Sequence, residues 1–183
     1  MRTNSNLYSP QWVSTDQLPK DLYSEILPNL YMGGTNDDDV IFNSSNDLLK
    51  ITKRHFDSVV TMYSWAHPVD WEVQEMRYGI PDSHIRDINL NKLIEIANWG
   101  YRQWLLGDKL LVRCQAGLNR SGLVTALILM LHGLSATEAI EQIRKNRTDL
   151  ALFNKNYVNW LIESGQEFVQ QYLNQSNTSS MTR

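Results

Sequence analysis

The sequence predicts an α/β fold, a central and mostly parallel sheet flanked by helices on both faces. Three observations carry that prediction. Short β-branched and aromatic runs alternate with stretches whose apolar residues recur every three or four positions. Glycines stand where several of those runs stop. One run, "KLLVRC", has the unbroken apolar centre of a strand covered on both sides.

Each element has its own warrant. Leu27 to Gly34, "LPNLYMGG", is a short apolar segment closed by a double glycine, a strand running into a turn. Phe56 to Ser64, "FDSVVTMYS", has strand length and strand composition. Leu90, Ile94, Ala97, Tyr101 and Leu105 mark one face of a helix that ends at Gly107, a residue suited to a helix C-terminus. After the strand "KLLVRC", Ser121 to Leu131 reads as a helix buried all round. Ser135 and Glu138 have capping-box spacing ahead of Ile140 and Ile143. A last amphipathic helix follows "NKNYVNWLIESGQEFVQQYL", through Tyr157, Leu161 and Phe168.

No internal repeat or low-complexity linker divides the 183 residues, so one domain is expected over 26–173. Residues 1–25 form an N-terminal extension packing on or near it, and the polar tail 174–183 is expected to be disordered. Hydrophobic content of 42% with 20% charged residues is that of a soluble globular chain. A formal charge of −3 disfavours a protein devoted to non-specific nucleic-acid binding. One cysteine cannot form an internal disulfide, which suits a reducing cytoplasm. The N-terminus lacks the apolar stretch of a signal peptide, and Leu123 to Leu131 is about half the length that spans a bilayer. No membrane association is expected. Four scattered histidines, with neither HExxH nor a Cys/His cluster, leave no metal site, and no cofactor is expected.

The chemistry concentrates in "LLVRCQAGLNRSG". In doubly covered α/β sheets, ligands bind at the carboxyl ends of strands, and Cys114 stands at such an end. A loop and a helix start follow it, and both present amides without intrahelical partners that can face an anion. Gly117 allows the backbone to curl, or to take positive φ. Inward amides and the helix dipole favour thiolate. Arg120 offers a planar two-pronged donor to phosphoryl oxygens, and Ser121 a hydroxyl to the sulfur as a leaving group. Taken singly, Cys114 reads as a small buried hydrophobe, Arg120 as a surface charge and Gly117 as a turn residue. It is their combination that points to catalysis.

"CQAGLNRSG" resembles the signature of the cysteine-dependent protein tyrosine phosphatase superfamily: Cys, five residues, Arg, then Ser or Thr. The small dual-specificity phosphatases are the most similar branch. "ILPNLYMGG", "AIEQIRKNR" and "NKNYVNWL" resemble further segments of those enzymes. The likeness runs roughly from Leu27 to Phe168 and implies the phosphotyrosine phosphatase-like fold. It also implies Cys114 as nucleophile, Arg120 and Ser121 as catalytic partners, and Gln115, Ala116, Gly117, Leu118 and Asn119 as the phosphate-binding loop. One position departs from the pattern: Arg113 stands where the family carries His. Strand alternation points it away from Cys114, and the hydrogen bond of that His is lost.

The resemblance also requires a general acid some thirty residues upstream, within "YGIPDSHIRDINL". Asp82 is the first choice, and Asp87 the second, although either also reads as a loop or cap carboxylate. His84 lies between them. The stretch Tyr63 to Trp71, "YSWAHPVDW", either walls the substrate pocket, with an aromatic ring to stack on phosphotyrosine, or packs its two Trp on the core. Arg144 and Arg147 either brace the loop from behind or lie on a solvated helix face.

The function implied is a phosphomonoester hydrolase working through phosphocysteine, of the protein-tyrosine or dual-specificity type, with a phosphorylated protein or peptide as partner. An RNA 5′-triphosphatase-like enzyme is one alternative, since the loop ends "G-x-N-R". A catalytically weak phosphate-binding module is the other. A redox thiol is disfavoured because the chain has no resolving cysteine.

Overall fold

The structure, a computed structural model, describes Pro19, residues 21–35 and residues 51–181. Most of the expected N-terminal extension therefore lies outside the described residues. Five strands form one sheet in the order β1-β2-β5-β3-β4. β1 (Tyr23–Leu27) and β2 (Leu30–Gly33) form an antiparallel hairpin, so residues 23–25 belong to the sheet. Its turn holds Asn29 at φ 66, where the Asn29 amide donates to Glu25 Oε1 at 2.9 Å. β3 (Ser58–Thr61), β4 (Gln74–Arg77) and β5 (Leu110–Arg113) are mutually parallel in the pairs β3–β4 and β3–β5, and β2 is parallel to β5.

Strand alternation divides the core into two parts. Val60, Met62, Leu110, Val112 and Cys114 face a large cluster shared with the helices, whereas Val59 and Leu111 face a smaller one with Ile51, Phe56, Val69 and Val73. Among the described residues, the smaller cluster is covered by irregular chain from 51–57 and 66–73.

α1 (Leu90–Leu105) starts at Asn89, whose side chain accepts from the Lys92 amide, and stops before Gly107 at φ +98. α2 (Arg120–Leu131) is buried at every position after Arg120, as its uninterrupted apolar sequence requires. α3 (Ala136–Asn146) opens with the expected capping box, both of its reciprocal bonds present. α4 (Lys155–Trp160) passes through a π-helical turn at Leu161–Gly165 into α5 (Gln166–Met181). The single helix read from the sequence is thus three segments, and helical backbone continues beyond Asn174.

β5 lies at the centre of the sheet with β2 and β3 on either side. Its carboxyl end, just before Cys114, is therefore held from both sides, and α2 leaves directly from the loop that follows.

Candidate active site

The loop from Cys114 to Asn119 is held from the outside by its carbonyls. Gln115 O accepts from the Thr35 amide at 3.0 Å, Leu118 O from the Leu152 amide at 3.2 Å, and Gly117 O from Arg147 Nε at 3.1 Å. Each bond turns a carbonyl outward. Among the described residues, no backbone carbonyl takes an amide between Gln115 and Asn119, so those N–H groups are left for a ligand. The curl requires Gly117 at φ +68, because a Cβ there would fall on the Gly33 carbonyl carbon.

Cys114 is 2% exposed, and its Sγ lies 3.3 Å from Ser121 Oγ in the first turn of α2. Arg120 sits with its guanidinium carbon 5.2 Å from the Tyr63 ring centroid, and its Nη2 donates to Gln115 Oε1 at 3.3 Å. Its Nε is buried and makes no hydrogen bond, a donor directed at nothing in the protein itself. Inward amides, a guanidinium with an unspent donor and a sulfur beside a hydroxyl together form a receptor for a tetrahedral oxyanion.

Asp82 is tied directly to this loop. Its Oδ2 accepts from Asn119 Nδ2 at 3.0 Å and its Oδ1 from Asn154 Nδ2 at 2.8 Å. The Asn154 amide in turn donates to Asn119 Oδ1 at 2.9 Å, closing a small polar ring. The Tyr157 hydroxyl donates to Pro81 O at 2.6 Å and fixes the turn that carries Asp82. Burial, then the charge of Asp82, pushes the Tyr157 phenol far above its ordinary range, so it stays a donor. Asp87 instead accepts from Ser83 Oγ at 2.9 Å, within its own turn. His84 is exposed, in a groove with Asn156, Trp160 and Glu163 rather than on the loop.

Several open choices resolve. Arg147 is 7% exposed and joins Gly117 to Asp21 O (2.6 Å) and Ser24 Oγ (3.1 Å), which rules out the solvated-face reading. Burial lowers its guanidinium to about 10. Arg144 clasps Ala151 O and Leu152 O at 3.1 Å each. Trp65 and Trp71 are 81% and 87% exposed, so neither packs on the core; Tyr63 is the aromatic that meets Arg120. Arg113 does point away from Cys114, with its Nε donating to Thr61 Oγ1 at 2.9 Å.

With that geometry in hand, residues 51–167 match the family described as dual specificity phosphatase, catalytic domain. The chain belongs to that family. This cysteine-based phosphatase is similar in fold to human DUSP28, at 20% identity and TM-score 0.64, covering 83% of this chain and 99% of that one. It is also similar to the human tyrosine phosphatase-like serine/threonine/tyrosine-interacting protein (19%, TM-score 0.61, 82% and 97% covered). PTPMT1 in complex with PI(5)P is a third (19%, TM-score 0.61, 85% and 99% covered). No curated protein matches the sequence. Among the described residues of the phosphatase, no helix is long and apolar enough to cross a membrane, and no cluster of His, Cys, Asp and Glu could hold a metal.

Sequence reasoning placed Tyr63 inside a candidate pocket wall without singling it out, and it missed Asn154 and Tyr157 as parts of this site. Asn154 and Asp82 are 72 positions apart, and no local pattern joins them. The only signal was that "NKNYVNWL" resembles a family segment.

Proposed function

We propose that the phosphatase hydrolyses phosphotyrosine, and related phosphomonoesters on proteins, through a covalent intermediate on Cys114. The observation that carries the reading is the bond from Asn119 to Asp82, which tethers a carboxyl group to the same loop that carries the thiol. In the first step the Cys114 thiolate attacks phosphorus. The P–S bond forms, the P–O bond to the substrate breaks, and Asp82 gives its proton to the departing oxygen. Arg120 and the loop amides hold the equatorial oxygens as charge shifts. In the second step Asp82, now a carboxylate, takes a proton from water. The water oxygen attacks phosphorus, the P–S bond breaks, and the Ser121 hydroxyl donates to the leaving thiolate. Inorganic phosphate departs and the enzyme is restored, with no net redox change.

Support for an aryl substrate comes from Tyr63 beside Arg120 and from exposed Trp65 on the same turn. The loop offers Gln115 and Ala116 where a polyanionic substrate would be served by lysine. A free cysteine that must stay reduced favours the cytoplasm as the working compartment.

The test is hydrolysis of p-nitrophenyl phosphate and of a phosphotyrosine peptide with EDTA present. Turnover is expected to vanish in Cys114→Ser. In Asp82→Asn it should fall sharply and lose the alkaline limb of its pH profile, while Asp87→Asn keeps that limb. Tight phosphopeptide binding without turnover would replace this reading with a binding module, and faster cleavage of an RNA 5′-triphosphate would move the substrate class.

A further inference from the structure

Arg113, the residue before the nucleophile, touches neither Cys114 nor the loop amides through its side chain. It is 5% exposed on the opposite face of the sheet. There its Nη2 donates to Glu75 Oε1 at 3.2 Å and to His67 O at 2.6 Å. The same Glu75 oxygen accepts from Thr61 Oγ1 at 2.6 Å and Arg77 Nη2 at 2.9 Å. Arg77 Nη1 in turn donates to Ala66 O at 2.7 Å. Two guanidiniums, held together by one carboxylate, thus seize the carbonyls of a single turn, residues 63–67. That turn closes on itself by the Ala66 amide donating to Tyr63 O at 3.3 Å, and Tyr63 is the residue whose ring meets the Arg120 guanidinium.

We propose that Arg113 is a positioning residue for phosphate binding: through Glu75 and Arg77 it fixes the 63–67 turn, and through Tyr63 it sets the place of Arg120. Three features of the arrangement favour this over a direct electrostatic effect on the thiolate. Its guanidinium is paired with Glu75, its side chain leaves the sheet on the face away from Cys114, and its Nε and Nη2 donate to Thr61, Glu75 and His67. A planar fork reaches separated acceptors from two different nitrogens, whereas an ammonium presents its three donors from a single point and an imidazole has two at most.

The inference rests on the phosphatase reading and is tested by a double-mutant cycle in the full chain, Arg113→Met with Tyr63→Leu. The readouts are kcat/KM on p-nitrophenyl phosphate and the inhibition constant of inorganic phosphate. Arg113→Met is expected to lower kcat/KM and weaken phosphate inhibition by about tenfold to a hundredfold, the scale of a small misplacement of a catalytic group. Tyr63→Leu should do the same, and the double variant should be little worse than either single one, since the three act along one chain. Arg113→Lys, which keeps the charge but not the fork, should not restore activity, and the acid limb of the pH profile should stay where it is.

Additive losses would overturn the inference in favour of a direct effect, as would rescue by Lys or a displaced acid limb. Unchanged kcat/KM in Tyr63→Leu would overturn it even if Arg113→Met fails to fold. A wild-type protein without Cys114-dependent turnover would instead remove the phosphatase reading. In that case phosphate binding measured by calorimetry still decides the positioning role: wild-type-like affinity in both single variants ends it.

Discussion

Asn119 Nδ2 donates to Asp82 Oδ2 at 3.0 Å, linking the loop that follows Cys114 to the turn that carries the proposed acid. Asn119 is 3% exposed, and its other amide atom accepts from the Asn154 backbone. One side chain thus ties together segments that are far apart along the chain.

Asn119→Ala is accordingly expected to lower kcat on p-nitrophenyl phosphate by about tenfold to a hundredfold, through a displaced acid. Asn154→Ala should follow in the same direction with a smaller loss: either variant leaves Asp82 one partner, but in Asn154→Ala the backbone amide at 154 still holds the Asn119 side chain. Steady-state kinetics of both variants check this. Equal kcat in wild type and Asn119→Ala would show that the ring does not position the acid.

Ser121→Ala removes the hydroxyl 3.3 Å from the Cys114 sulfur. The group helps when sulfur is the leaving group, so phosphocysteine hydrolysis should slow by about tenfold or more, while phosphorylation changes less. Rapid-mixing experiments should then show a burst of p-nitrophenol larger than that of the wild type. Absence of a burst with a lowered single-turnover rate would place Ser121 in the first step instead.

Gly117→Ala demands both a positive φ from an L side chain and room already filled by the Gly33 carbonyl. The expected outcome is a loop forced out of its curl, with phosphate binding lost by calorimetry. Gly133, also at positive φ but with open space around it, should accept Ala with only a modest fall in Tm and full phosphate binding.

Glu75→Gln leaves Arg113, almost fully buried, facing Arg77 with no countercharge. Breaking such a pair costs about 3 kcal/mol, toward the low end because Glu75 is not fully buried. Urea unfolding should report that loss. A double variant, Glu75→Gln with Arg113→Met, should recover part of it, because the unpaired charge goes as well.

Asp57 supplies the pH dependence. A hydrogen bond from the Lys109 amide, then the Lys53 ammonium at 3.0 Å, holds its carboxyl below the ordinary value. A carboxylate lowered on folding stabilises at pH values above its unfolded pKa, and that stabilisation fades as the pH falls through the folded value. Asp57→Asn should therefore lower Tm near neutrality by an amount worth under about 1 kcal/mol, given its partial exposure. The difference should shrink as the pH drops from about 5 toward 2. A constant difference at all pH values would mean that the charge is not the cause.

Much of this protein was legible in one dimension because its determinants are local. The period of Leu90 to Leu105, the unbroken apolar run of α2 and the spacing of Ser135 and Glu138 each specify an element from neighbours within a few turns. Cys114, Arg120 and Ser121 share one loop and one helix start, and so their proximity follows from chain connectivity alone. What bears on the loop from elsewhere followed no such rule. Asp82, Asn154, Arg147 and Tyr63 come from four separate segments, and only the packed sheet and helices bring them to the loop. Arg113 shows the division within a single residue. Strand alternation determined which way it points; the fold alone decided that Glu75 would be there to meet it, because a hydrogen bond depends on distance in space and not on separation along the chain.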